Sequence, residues 1–319
     1  MHKEPLPLGW LGIVRLGLVQ TALGAVVVLT TSAINRVMVV ELALAATVPG
    51  LLVGLHYAMQ VFRPRMGHGS DVGGRRTPWI VGGAAVLALG GTGAAASVAV
   101  VETAGLAAGL AVAALAFVLI GAGVAAAGTS LLVLLAARVA QERRAAAASV
   151  VWIMMIAGFV VTTATAGRRL DPYSPTRLLA VSAGVCGLAF LLAWAAVWRV
   201  EPPRRPLDAS SGAAGAPPPD RAAFRGALRQ VWAERDARRF AAFVFVSMLA
   251  YSAQDLVVEP FGGAVFGLSL GETTRLASVQ NAGVLMGMVA VAFAGGAPSA
   301  DRAGRLRRLA IGGCAGAAV

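Results

Sequence analysis

Charged side chains are scarce in this sequence. Only 13% of its 319 residues are Asp, Glu, Lys or Arg, against 58% hydrophobic residues and a mean hydropathy of +0.75. A chain so composed has too little polar material to cover a soluble globule, and reads as a multispanning membrane protein. Cysteine is almost missing: Cys186 and Cys314 both sit in apolar runs, at no metal-ligand spacing, and read as small core residues. Of the three histidines, His2 is terminal, His68 lies in a polar stretch and His56 falls inside an apolar run. No His/Cys metal cluster, nucleotide-binding loop or nucleophile-and-base arrangement is present, so no enzymatic activity is expected. Acidic residues are outnumbered 15 to 27, giving a net charge of +12. The positions of those cations argue against nucleic acid as the partner, and for membrane topology and anionic-lipid contact. No small-residue cleavage site follows the first apolar run, so no cleavable signal is expected.

A spanning helix needs about 20 mostly apolar residues. The runs predict spans at 13–34, 45–62, 78–101, 104–136, 146–166, 177–198, 239–261 and 273–295, with a ninth beginning near residue 309. With the N-terminus on the cytoplasmic side, only Arg36, Arg168, Arg169, Arg177 and Arg275 fall on the far side, so the positive-inside rule selects that orientation. The composition breaks at 199–220, a Pro/Gly/Ala-rich stretch that reads as a linker. Beyond it, Phe224, Leu228, Val231 and Trp232 recur at helical spacing opposite Arg225, Arg229 and Arg235, predicting an amphipathic helix on the inner membrane face. The expected organisation is a six-helix bundle over 1–198, a cytoplasmic segment over 199–238 and a partial second bundle over 239–319. Helices 3 and 4 are crowded with small residues, such as Gly82, Gly83, Gly90, Gly91, Gly121, Gly123 and Gly128, which let membrane helices approach closely.

Gly67 to Arg76 reads GHGSDVGGRR, of the form Gly-x-x-x-Asp-x-x-Gly-Arg-Arg. Its glycines predict a tight turn, with Asp71 paired to Arg75 or Arg76 or capping the next helix. The pattern resembles the signature between helices 2 and 3 of the major facilitator superfamily, matched by Gly67, Asp71, Gly74, Arg75 and Arg76. A weaker copy follows at Asp301, Arg302, Gly304 and Arg305, with Ala297 in place of the first glycine. Two copies imply duplicated halves, and hence an all-α bundle that stops here after eight to nine of twelve helices. The stretches RLGLVQTALGAVVVLTTSAINRVMVVELAL, HYAMQVFRPRMGHGSDVGGRRTPWI and QDLVVEPFGGAVFGL resemble, more narrowly, the PucC/LhaA group. That resemblance implies a multi-pass protein of the bacterial photosynthetic inner membrane that delivers bacteriochlorophyll, or a precursor, to light-harvesting antenna polypeptides. Self-association is left open. The competing classes are a secondary transporter of a small solute and a pigment-independent assembly scaffold.

Polar residues inside a bilayer are costly enough to mark candidate sites. His56 is a candidate axial ligand to pigment magnesium, against the commoner histidine bonded to a neighbouring helix. Gln254, Asp255 and Glu259 form a second group, and Asp255 and Glu259 share a face at a spacing of four. At 1.5 Å per residue, Asp255 lies about 24 Å from Arg239, toward the far side of a core of about 30 Å. Pro260 with Gly262 and Gly263 is expected to end that helix. The pair reads either as a gate, coupling or pigment site or as a polar network at the rim involving Arg36 or Arg275. In helix 1, Arg15 snorkels, the hydroxyls of Thr30, Thr31 and Ser32 bond back to their own helix, Arg36 and Glu41 pair, and Gln20 joins the candidate list.

Overall fold

In a computed structural model the chain is described over residues 8–72, 75–201, 229, 232–296 and 302–317. Helices account for almost all of it, and no strand occurs among the described residues. Helix α1 is Trp10–Glu41, whose last turns are wound as two π-helical segments, Thr30–Ile34 and Val37–Glu41. Then follow α2 (Thr47–Ala58), α3 (Arg63–Val72), α4 (Thr77–Ala104), α5 (Leu106–Arg138), α6 (Arg144–Gly167), α7 (Pro175–Val197), α8 (Arg235–Phe266), α9 (Leu270–Gly296) and α10 (Arg302–Ala317). Six of the helices among the described residues are long and apolar enough to cross a membrane, the longest being α5. The protein is an all-α polytopic membrane protein. These six correspond to the predicted spans 13–34, 78–101, 104–136, 146–166, 177–198 and 273–295; the predicted spans 45–62 and 239–261 and the one beginning near 309 are mostly helical but are not among the six.

Two expectations are corrected. Gly67–Val72 is not a turn: α2 continues through a 3-10 turn, Met59–Phe62, into α3, so the first part of the glycine signature is helical. Its two glycines, Gly67 and Gly69, do not break a helix that packs along α5. Nor does Pro260 end α8, which runs on to Phe266 and stops at Gly267, the residue with left-handed backbone, φ 65°.

The first seven helices make one bundle. Its heart is α4 against α5, joined by the single residue Gly105 at φ 88°. The small residues act as notches: a Cβ on Gly83 would lie 2.6 Å from Ala127 N, one on Gly90 2.8 Å from Ile120 N, and one on Gly123 2.5 Å from Leu87 N. Backbone therefore lies on backbone, and dispersion supplies the adhesion that hydrophobicity cannot supply in lipid. Helix α1 runs between α6 and α7, with Met154 set into Gly17 and Phe159 into Gly24. Ile13, Leu16, Leu29, Leu87, Phe117 and Ile120 are among the fully buried large side chains of this core. The α8–α9 hairpin docks on the outside of the bundle, α9 along α6 and α8 against the π-wound end of α1.

Candidate functional site

The helices bring their polar residues together at two opposite ends of the bundle. At one end lie the termini of α1, α3, α5 and α7. There Glu201 accepts from the N–H groups of Arg76 (2.9 Å) and Thr77 (2.6 Å) and from Thr77 Oγ1 (2.6 Å), so it caps α4 with a carboxylate. Burial works against its charge, but the Thr77 and Arg76 hydrogen bonds and the Arg76 guanidinium outweigh that and hold its pKa below the usual glutamate range. Arg138 donates to Val200 O, and Arg15 donates to the carbonyls of Ala195 and Trp198. The signature arginine Arg76 thus serves the α4 cap, and Arg75 is exposed. Gly74 and Asp301 lie outside the described residues, as does most of 199–238; of the predicted amphipathic helix Arg229, Trp232 and Arg235 are described, all exposed, and nothing is described of the Asp71, Arg302 and Arg305 side chains. Gly304 is half-buried.

The other end holds the second cluster. Between the two π-wound segments of α1 lie Asn35 and Arg36, each only 3% exposed and bonded to the hairpin. Asn35 Nδ2 donates to Leu256 O at 3.1 Å. That carbonyl is one the helix cannot satisfy, because residue 260, whose N–H would bond it, is proline. Arg36 pairs with Glu41, as expected, and donates a second bond to Leu268 O at 2.7 Å in the turn after α8. From the α6–α7 loop, Asp171 accepts from Gly271 N–H and from Ser269 Oγ, both at 2.8 Å. Ser269 and Glu272 form a reciprocal capping box on α9, Ser269 N–H to Glu272 at 2.8 Å and Glu272 N–H to Ser269 Oγ at 3.2 Å. Gly271 is obligatory, since a Cβ there would lie 2.2 Å from Asp171 Oδ2 and 2.3 Å from Gly167 O.

A cleft of about 480 Å³ opens beside these contacts, lined by Glu41, Asp171, Tyr173, Ser269 and Glu272 among others. Burial, together with the nearby Glu102 and Glu41 carboxylates, pushes the Tyr173 phenol up to about 12. Away from the cleft, the seam between the bundle and the hairpin stays polar: Glu259 is 3% exposed, and Thr162, Thr163, Thr273, Thr274, Ser278 and Asn281 are buried. Most of these hydroxyls bond back to their own helix, whereas Ser278 Oγ crosses to Val160 O at 3.0 Å.

Of the sequence candidates whose side chains are described, Glu259 joins this seam. Gln254 is exposed on α8, and nothing is described of the Asp255 side chain. His56 lies on α2, where its carbonyl packs at Gly121 of α5; it is buried, and its Nδ1 has no hydrogen-bond partner. The interhelical bond of an ordinary buried histidine is thus not made through that nitrogen. Gln20 donates to Met155 Sδ at 3.2 Å across the α1–α6 contact. Thr30 and Thr31 bond back to α1, but Ser32 Oγ finds no partner. Residues missed by sequence reasoning are Glu201, Asp171 and the Ser269–Glu272 box. The box has its own Ser-x-x-Glu signature; the two carboxylates have none, because what they cap is remote in sequence.

Comparison with known proteins gives a consistent set of relatives. Residues 33–319 match the family described as "PUCC protein". The chain is 49% identical to the "Bacteriochlorophyll synthase 44.5 kDa chain" of Rhodobacter capsulatus over 98% of its own length and 71% of that protein. It is 31% identical to "Protein PucC" of Cereibacter sphaeroides, covering 89% of this chain and 62% of that one. It is also 32% identical to an "Uncharacterized protein in puhA-bchM intergenic region" of Rhodobacter capsulatus, covering 90% and 60%. The chain therefore spans between three fifths and three quarters of these relatives.

Proposed function

Because this chain belongs to the PUCC protein family, we propose that it is a membrane assembly factor that binds bacteriochlorophyll, or a precursor, and hands it to light-harvesting antenna polypeptides. The observation that carries the reading is the 49% identity, over 98% of the chain, to a relative named for bacteriochlorophyll. His56 gives the reading a residue: a buried imidazole nitrogen without a protein partner is suited to magnesium in a tetrapyrrole. Burial closes His56 here, so pigment reaches it only when α2 lifts from α5. The relative's name contains the word synthase; we read the chain as a carrier rather than a catalyst.

In this reading the end with Arg15, Arg76, Arg138 and Glu201 faces the cytoplasm of a photosynthetic membrane, where its arginines meet anionic lipid. The docking of α8 and α9 against α1 and α6 supports the duplicated halves of a major facilitator-type fold. The test is the absorption spectrum of full-length protein, gently purified from pigmented membranes of a strain lacking its antenna polypeptides. A near-infrared band at fixed ratio to protein is expected, retained in Leu55→Ala and lost in His56→Ala. Equal pigment in both variants removes the role of His56, and a colourless folded protein removes the carrier reading. The polar seam around Glu259 favours the second reading, a secondary transporter, for which proton-dependent solute uptake in vesicles is the assay.

A further inference from the structure

His56 does not stand alone on its helix. Gln60 and Arg63 follow it at spacings of four and seven, the repeat that keeps side chains on one helical stripe. Hydrogen bonds tie that stripe together. Gln60 Nε2 donates to His56 O and to Gly121 O of α5, both at 3.4 Å, and Gln60 Oε1 accepts from Arg63 Nε at 2.6 Å.

Gln60 thus holds the Arg63 guanidinium by its inner nitrogen. The two terminal amino groups, which form one side of the planar fork, make no hydrogen bond or ion pair with the described residues, and Arg63 is exposed. A topology signal needs only its charge, whereas this cation is also tethered in position. Along the neighbouring stripe lie Tyr57 and Val61, 51% and 78% exposed, with the Tyr57 ring edge-on to the His56 imidazole at 4.9 Å between centroids. At 1.5 Å per residue, Arg63 lies about 10 Å along the axis from His56.

The stripe therefore offers an unpartnered imidazole nitrogen, an apolar strip and, beyond it, a free cationic fork. A magnesium tetrapyrrole carries the complementary groups in the same order: a metal at its centre, an apolar macrocycle and a propionate at its edge. In the free acid that propionate is an anion which a guanidinium grips with two parallel bonds; in the ester the charge is gone. We propose that Arg63 gives the His56 site a preference for a magnesium tetrapyrrole whose propionate is a free carboxylate over the same pigment esterified there. The inference rests on the reading of His56 as the magnesium ligand and deepens it. His56 takes the metal and Arg63 the acid, so the ester, held by His56 alone, is the form more easily passed on.

The experiment titrates the full chain, purified without pigment into nanodiscs of zwitterionic lipid, with the free acid and the methyl ester of one magnesium bacteriochlorin, and follows the near-infrared band. The acid is expected to bind about tenfold more tightly than the ester. Arg63→Gln, at an exposed position, brings the acid down to the affinity of the ester; Arg63→Lys restores part of the difference; His56→Ala weakens both forms. Equal affinity for acid and ester in the parent protein overturns the proposal and leaves the carrier reading standing. A preference that survives Arg63→Gln does the same, and leaves Arg63 as a contact for lipid headgroups only. If neither form binds to parent protein that elutes as a monodisperse peak on size exclusion, the carrier reading and this proposal fall together.

Discussion

The α4–α5 contact and the seam under the hairpin are both helix pairs in a membrane, yet they are built from opposite materials. In the first, Gly83, Gly90 and Gly123 admit backbone to backbone, and nothing polar is needed. In the second, adhesion at the rim comes from side chains that complete foreign backbone, one bond at a time. Cross-helix hydrogen bonds in membrane proteins contribute only about 0.6 kcal/mol each on average. A glycine-notched contact is lost all at once or not at all, whereas a polar rim comes apart in small steps. The comparison teaches that the bundle's central contact rests on backbone notches and the hairpin's rim on hydrogen bonds, with one notch, Gly271 against Gly167, on the hairpin side as well.

The largest expected effect breaks the first interface. Gly123→Leu forces a side chain to within 2.5 Å of Leu87 N and 2.6 Å of Gly83 O, neither of which can yield. Overpacking of this kind costs about 1–3 kcal/mol or more. We expect loss of the monodisperse peak on fluorescence-detected size exclusion, while Gly82→Ala, which meets nothing within 4 Å, keeps it. A normal Gly123→Leu peak would remove the contrast drawn here.

A middle-sized effect sharpens the second interface. Pro260→Ala restores the N–H that Leu256 O lacks, so Asn35→Ala then costs less than in the parent protein. The double-mutant cycle on thermal stability is expected to show coupling of about 0.5–1 kcal/mol. Strict additivity would mean that Asn35 does not serve that carbonyl.

The smallest effect concerns a polar tie inside the rigid bundle. The folded pKa of Glu201 is depressed, so its contribution is fully present above the unfolded value of about 4.3 and is lost as pH falls through the folded value. Glu201→Gln is expected to lower stability slightly at neutral pH and to flatten the acid side of the stability profile. Parallel profiles for the two proteins would deny Glu201 that role.

How much of this was legible beforehand follows the same division. Six of the nine expected spans could be read from apolar run length, and the Arg36–Glu41 pair from proximity in sequence. The notched glycines were visible as composition, though not which would meet. Asp171 and Glu201 were invisible, because each caps a helix distant in the chain, and no local pattern encodes such a partner. Pro260 was misjudged for an instructive reason: local rules count the bond a proline removes and cannot see that Asn35, on another helix, replaces it. The glycine signature was misjudged likewise, since packing of α3 on α5 outweighs the preference of its glycines.

Pro260 also bears on the order in which the protein is made. Helix α1 leaves the ribosome long before α8, so the Asn35 amide enters the bilayer ahead of the carbonyl it serves. Until α8 arrives, that amide lacks the partner it has in the folded protein, and Leu256 O lacks its own once α8 inserts alone. Each helix thus carries a defect that only the other repairs, and insertion of α8 is complete only when it has found the first helix of the chain.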